Sequence, residues 1–383
     1  MGQLIGRSWS VRRITATAAI ALLGACTASS GGDVGVRTPS RASQVTATQA
    51  ACPAQVRLLP TRTATESSWG AAISDNGWVA GWVAEPEMKL RAVVWRGNTP
   101  PLDLGVDGVP ADINEVGDIA IQGHGYGPNG FSAFLWKDGT LRRLPGTKSR
   151  PRVAVNGLND HGVVVGFVFG GRTSSVRAAV WRNGRVRVLR HPSGGTRRDD
   201  YFGQDINNSG LVIGWRGSDP RISHWWRTGG RVGTLSRGDS DRGVAANVDD
   251  RGRVVGFVAG RSEDDPGGPN IKWRSVRSDP KKFLNRRFGA FALHPDSGYV
   301  VGSRDSRRAF LGHLSDARVT LLPNPPALGG FDAYSAQTFD VATGQNPLAP
   351  DGGVTVVGTA FFDSVEGSPN NRAVLWTCAR SYR

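Results

Sequence analysis

Asp112, Asn156, Asp205 and Asn247 fall at or near one position of a repeating pattern, and their types could do chemistry. Two carboxylates across a cleft are the minimum equipment for glycoside hydrolysis, and their separation decides the outcome. Sequence spacing does not supply that separation. The segments leading into the same position carry Glu66 and Trp69, Arg150 and Arg152, Arg197 to Tyr201, Asp239 to Arg242, Arg286 to Phe288, and Asp332 with Tyr334. The ligand-binding candidates are therefore Trp69, Asp112, Arg152, Tyr201, Asp205, Arg242, Asn247, Arg287 and Tyr334. Taken singly, each acid is better explained as a solvated or channel-lining residue than as a ligand contact. Other chemistries have less support. His124, His161, His191, His224, His294 and His313 lack metal-ligand spacing. Gly238-Asp239-Ser240-Asp241-Arg242 lacks the second glycine of a nucleophile elbow. The acids of Asn159-Asp160 and Asp249-Asp250 lack the alternating oxygen pattern of a calcium loop and suit hairpin turns. No catalytic residue, metal site or cofactor is expected.

The elements that must position these residues repeat seven times. Polar-Gly turns centred on Gly77, Gly117, Gly162, Gly210, Gly252, Gly298 and Gly352 recur every forty to fifty-four residues, each followed by a strand-like apolar run. A period of this size with four short strands per repeat predicts an all-β chain folded as a seven-bladed β-propeller of four-stranded antiparallel blades. The first strand is rich in small residues, as in Ala111-Asp112-Ile113, and suits a crowded inner position. The second, as in Val254-Val255-Gly256-Phe257-Val258, is nearly all apolar and predicts burial on both faces. Glycine recurs in it at 81, 166, 214, 256, 302 and 358, which predicts close packing of one blade on the next. The third strand ends in Trp95, Trp136, Trp181, Trp226, Trp273 and Trp376, with Gly312 in the sixth repeat; so regular a set reads as inter-blade core. The fourth alternates, as in Arg185-Val186-Arg187-Val188-Leu189, as a half-exposed edge should.

Three cysteines occur. Arg7, Arg12 and Arg13 precede an apolar run from Ile14 to Ala25 that is too short to span a bilayer, as in a signal peptide. Sec export fits better than the twin-arginine route. The run ends in Leu23-Gly24-Ala25-Cys26, which resembles the bacterial lipobox and implies lipidation of Cys26 and a stable membrane anchor. Residues 1–25 are read as a lipoprotein signal peptide, 26–50 as the lipidated cysteine with a Thr/Ser/Ala/Gly tether, and 51–383 as the propeller. Val56-Arg57-Leu58-Leu59-Pro60 matches the closing strands Leu141 to Pro145 and Val319 to Pro323, whereas Trp376 is followed by no closing strand. The N-terminal strand should therefore complete the last blade and close the ring, bringing Cys52 to Cys378 in a disulfide that an exported chain would keep.

Asp205-Ile206-Asn207-Asn208-Ser209-Gly210 with Val212-Ile213-Gly214, Ser132-Ala133-Phe134-Leu135-Trp136-Lys137-Asp138-Gly139, and Leu102-Asp103-Leu104-Gly105 resemble the HAF-type extracellular repeats of bacteria. The likeness runs from Ala71 to Trp376, although Ser132 or Arg308 stands where those repeats have histidine. It implies an exported repeat protein and carries no established chemistry.

The formal net charge is +15; without the three arginines of residues 1–25 it is +12 (15 − 3). A cationic exported domain should meet anionic partners, cell-wall polymers among them. An envelope protein is a further partner class, and nucleic acid the weakest, since no binding module accompanies the charge. The long connections fall on one face, which should be the binding face. The expectation is a monomeric, lipid-anchored, non-catalytic binding or scaffolding module on the outer side of the cytoplasmic membrane. Its alternative is a carbohydrate-active or lyase-type propeller enzyme using Asp112 and Asp205.

Overall fold

The computed structural model describes residues 55–84, 89–124, 131–171, 175–193, 195–196, 198–217, 222–236, 242–259, 268–285, 287–315, 319–328, 333–343, 348, 353–362 and 371–378. The chain divides into two compact parts, Met1–Gln49 and Ala50–Arg383. The first, with Cys26, and the start of the second, with Cys52, lie outside the described residues.

Every described element is a β-strand, and all pairings are antiparallel, in six sheets. Five sheets have four strands and one has seven. The seven-stranded sheet exists because Leu102–Ile113 serves two repeats. Its first half pairs with Leu90–Arg96 and its second half, from Gly108, with Ile119–His124. The closing strand of one repeat and the inner strand of the next are thus a single element. The strand Gln55–Leu58 lies beside Asn371–Cys378, with Gln55 opposite Thr377, as the fourth strand of the C-terminal sheet.

The inner strands are Ser67–Ile73, the second half of Leu102–Ile113, Arg152–Leu158, Tyr201–Ile206, Gly243–Val248, Phe288–Leu293 and Ala333–Thr343. Each contains a β-bulge at the same place, between the partners Gly70/Ala72, Pro110/Asp112, Val155/Gly157, Gly203/Asp205, Ala245/Asn247, Ala290/Ala292 and Thr338/Asp340. A bulge adds one residue and bends the strand. It also explains the recurrent glycines, and not as expected. A Cβ at Gly81, Gly166, Gly214, Gly256, Gly302 or Gly358 would sit 1.8–2.1 Å from a carbonyl oxygen of its own sheet's inner strand, just before the bulge. The close approach is therefore within a sheet rather than between sheets. The second repeat is the exception, with Ile121 opposite Pro110.

Between sheets the packing is apolar. One cluster joins Val165 and Val180 to Tyr201, Ile206, Val212 and Trp226. Another joins Ile73, Val79 and Trp95 of the first repeat to Val357 and Leu375 of the last. Each repeat tryptophan except Trp136 also donates its indole N–H, at 2.7–2.8 Å, to a carbonyl just after the closing strand of the preceding repeat: Trp181 to Pro145, Trp226 to Arg190, Trp273 to Ser236, Trp376 to Pro323. Trp95 makes the same bond to Pro60, which follows Gln55–Leu58. A buried indole needs such a partner; the apolar burial and the bond together fix each sheet against its neighbour.

Candidate functional site

The inner strands converge at the end where tight turns connect them to the second strands. There a cavity of about 80 Å³ is lined by all seven repeats, through Ile73, Asp112, Leu158, Asp205, Val248, His294 and Asp340 among others. This is well below the roughly 300–1,000 Å³ of small-molecule sites. Of the residues expected to bind ligand, only Asp112 and Asp205 line it, and the structure adds Asp340 at the equivalent position.

The bulge explains what these three acids do. It turns the residue after it toward the next inner strand. Asp205 accepts the N–H of Ile206 at 2.7 Å on one oxygen and that of Val248, in the next repeat, at 2.8 Å on the other. Asp112 does the same with Ile113 and Leu158, at 2.8 and 2.7 Å. Asp340 accepts from Val341 at 2.8 Å and from Ile73 at 2.9 Å, linking the last repeat to the first. Each carboxylate is a staple between inner strands. Asn247 holds the same position, and its Oδ1 is buried with no partner among the described residues.

Burial raises the pKa of Asp205 to about 6 and that of Asp340 to about 7, against the lowering effect of their backbone donors. Asp112 is pushed well above its ordinary value by burial and then by the charges of Asp340 and Asp205.

A second polar ring surrounds the first, built from the turns. The N–H of Asp75 donates to Glu115 at 2.7 Å, Glu115 to Asp160 at 3.0 Å, Asp160 to Asn208 at 2.9 Å and Asn208 to Asp250 at 2.7 Å. Asp250 donates to the carbonyl of Pro295 at 2.9 Å, and Thr343 donates to Asp75 at 2.6 Å. Pro295 has no N–H to pass on, and His294 spans that place. Its Nδ1 accepts from the N–H groups of Asp296 and Ser297 at 3.2 and 3.1 Å, so the ring proton sits on Nε2, 3.0 Å from Asp75 Oδ1. Burial works against a charged ring here, but Asp75 outweighs it and raises the pKa of His294. Burial also raises Glu115 to about 7. Among the described residues no group of His, Cys, Asp and Glu is placed to hold a metal ion.

The other expected residues lie toward the opposite, loop-bearing end of the strands. Trp69 stacks on Trp82, centroids 5.6 Å apart. Arg152 begins its inner strand, half-buried. Tyr201 is buried against His191 and His224 and is no open contact surface. Arg242 is half-buried, with its carbonyl accepting from Ala259. Arg287 is exposed and paired with Asp305 at 2.7 Å. The side chain of Tyr334 lies outside the described residues, as do Arg197 and Arg286. The expected set is thus divided between two ends of the strands and forms no single site.

Comparison with solved structures bears on the fold. Oligogalacturonate lyase from Vibrio parahaemolyticus aligns over 88% of this chain and 96% of its own, with 10% identity and a TM-score of 0.52. The fold is β-propeller-like. A chain of the mitotic checkpoint complex matches over 92% of this chain and 99% of its own, at 12% identity and a TM-score of 0.49. YCF48 bound to a peptide matches over 85% and 95%, at 15% identity and 0.45. No protein-family model matches the chain, and no curated protein matches it in sequence.

Proposed function

We propose that this chain is a lipid-anchored, seven-bladed β-propeller with HAF-type repeats, held outside a bacterial cytoplasmic membrane, and that it binds or scaffolds without catalysis. The observation that carries this reading is the state of the inner acids. Asp112, Asp205 and Asp340 each have both oxygens engaged by backbone N–H groups, in a cavity of about 80 Å³. A funnel hydrolase or lyase needs a carboxylate that can reach its substrate, and these are committed to holding strands together.

Seven blades are supported by the seven bulged inner strands and by the division of labour along Leu102–Ile113. Closure of the ring is supported by Asp340 on Ile73 and by the equivalence of the Trp95–Pro60 bond to the other tryptophan bonds. A disulfide between Cys52 and Cys378 fits this closure, because Cys378 is fully buried in the strand that pairs with Gln55–Leu58. Thiol titration of the denatured, unreduced domain Ala51–Arg383 should find no free cysteine.

Binding is assigned to the loop-bearing end, where Arg152, Arg242 and Arg287 stand at the start of three inner strands and where the Trp69–Trp82 and Phe202–Trp215 stacks lie. The partner class is an anionic cell-wall polymer. The test is co-sedimentation of Ala51–Arg383 with purified walls, before and after removal of their anionic polymers, across a salt series. Binding should vanish with the polymers and weaken steeply with salt. Retention on stripped walls, or none on intact ones, contradicts the reading.

A further inference from the structure

The residue after each repeat tryptophan is a cation in five successive repeats: Arg96, Lys137, Arg182, Arg227 and Arg274. Strand register places all five at the turn-bearing end. Arg96 pairs with Trp78, Arg227 with Leu211, and Lys137 reaches Asp118 at 2.7 Å, each partner lying just past a tight turn. The four arginines are exposed and the lysine half-exposed. Arg96 lies 3.9 Å over the Trp78 ring, which holds it outward. Arg182 and Arg274 make no ion pair among the described residues.

The row does not converge on a point. A specific anion pocket gathers its cations so that several reach one group, whereas these stand one to a repeat across five neighbouring repeats. An array of this kind suits an extended anionic plane. The same end carries acids: Asp75, Glu115, Asp160 and Asp250 lie around the cavity, each accepting a neighbouring repeat's backbone N–H, while Asp118 and the exposed Asp138 act on Lys137 within the row. The cations form the outer ring. The seventh repeat has Thr377 at the row's position, and Gln55 is its strand partner. The first described strand, Gln55–Leu58, therefore starts at this end.

We propose that the turn-bearing end docks through Arg96, Lys137, Arg182, Arg227 and Arg274 on the anionic headgroups of the membrane, which turns the loop-bearing end toward the wall. The proposal rests on the anchored reading above, but its test does not require the anchor. All described strands and core clusters lie within Ala50–Arg383, so the domain Ala51–Arg383 folds on residues of its own.

That domain, unacylated, is sedimented with phosphatidylcholine vesicles with and without phosphatidylglycerol. Binding should require phosphatidylglycerol and decline with salt. Each cation held at an anionic surface contributes about fivefold in affinity, so Arg182→Gln/Arg227→Gln/Arg274→Gln should lower vesicle binding by roughly a hundredfold. Its melting temperature should stay unchanged and its wall sedimentation intact. Arg152→Gln/Arg242→Gln/Arg287→Gln should leave vesicle binding within about twofold, since its charges lie at the other end. Equal binding to neutral vesicles, or no loss in the first variant, overturns the proposal. So does a first variant that keeps vesicle binding and loses wall sedimentation, which would give the row to the polymer. Vesicle binding without any wall binding would overturn the wall-polymer reading and leave this one standing.

Discussion

The two ends of the inner strands use polar residues in opposite ways. At the turn-bearing end, acids and amides recur in register, and nearly every one is bonded to the backbone of a neighbouring repeat. At the loop-bearing end, Arg152, Arg242 and Arg287 share one strand position, but Ser67, Asp107, Asp200 and Ser335 fill it in the other repeats, so the residue type does not recur. A polar residue that recurs with the repeat is explained by what the repeat needs, namely a bond to its neighbour. One that breaks the pattern needs another explanation. The lesson runs against intuition, because regularly spaced carboxylates resemble a designed active site. Here their regularity marks them as fasteners.

The largest test of this contrast is Gly214→Ala. The added methyl would lie 1.9 Å from the carbonyl oxygen of Phe202, a backbone atom that cannot move without displacing the bulge. Loss of about 3 kcal/mol of stability in denaturant titration is expected. Trp226→Phe comes next. It keeps most of the apolar contact but leaves the carbonyl of Arg190 without its indole partner, for a loss of about 2 kcal/mol. Either substitution proving neutral would mean that the repeat positions are not the fasteners described.

Proton linkage gives a third effect. Asp205 at about 6, Asp340 and Glu115 at about 7, and Asp112 with its raised pKa all bind protons in the folded state more readily than in the unfolded chain. Stability therefore falls as pH rises through 6 to 7. His294, also raised, acts with the same sign: its contribution is present below the ordinary histidine value and is lost as pH rises through the folded one. The melting temperature should be higher at pH 5 than at pH 8. A rise with pH instead would contradict this account of the turn-bearing end. The smallest effect on stability belongs to Arg152→Gln/Arg242→Gln/Arg287→Gln, within about 0.5 kcal/mol, even as wall binding is lost.

The repeat, the four strand types and the tryptophan core were legible in the sequence because strand period and turn glycines are local. The bulges were not. Nothing in Gly203-Gln204-Asp205 announces an extra residue until the partner strand is in register, so Gly214 read as a contact between sheets. Asp340 escaped notice because the final repeat is long and irregular, though Asp340-Val341 matches Asp205-Ile206. Asp160 and Asp250 were legible as hairpin residues, but their belt with Asp75 and Glu115 was not, since each bond joins residues some forty positions apart. Tyr201 looked like a contact residue and is core, because Arg177 and two histidines cover it.

The most direct measurement is hydrogen exchange at the amides of Ile206 and Val248, before and after Asp205→Ala. Both amides donate to that carboxylate. If the acid is a staple, both should lose protection together, with a fall in global stability of about 2–4 kcal/mol. Unchanged protection and stability, with loss of a ligand or of turnover instead, would contradict the structural role and return Asp205 to the chemistry its spacing first suggested.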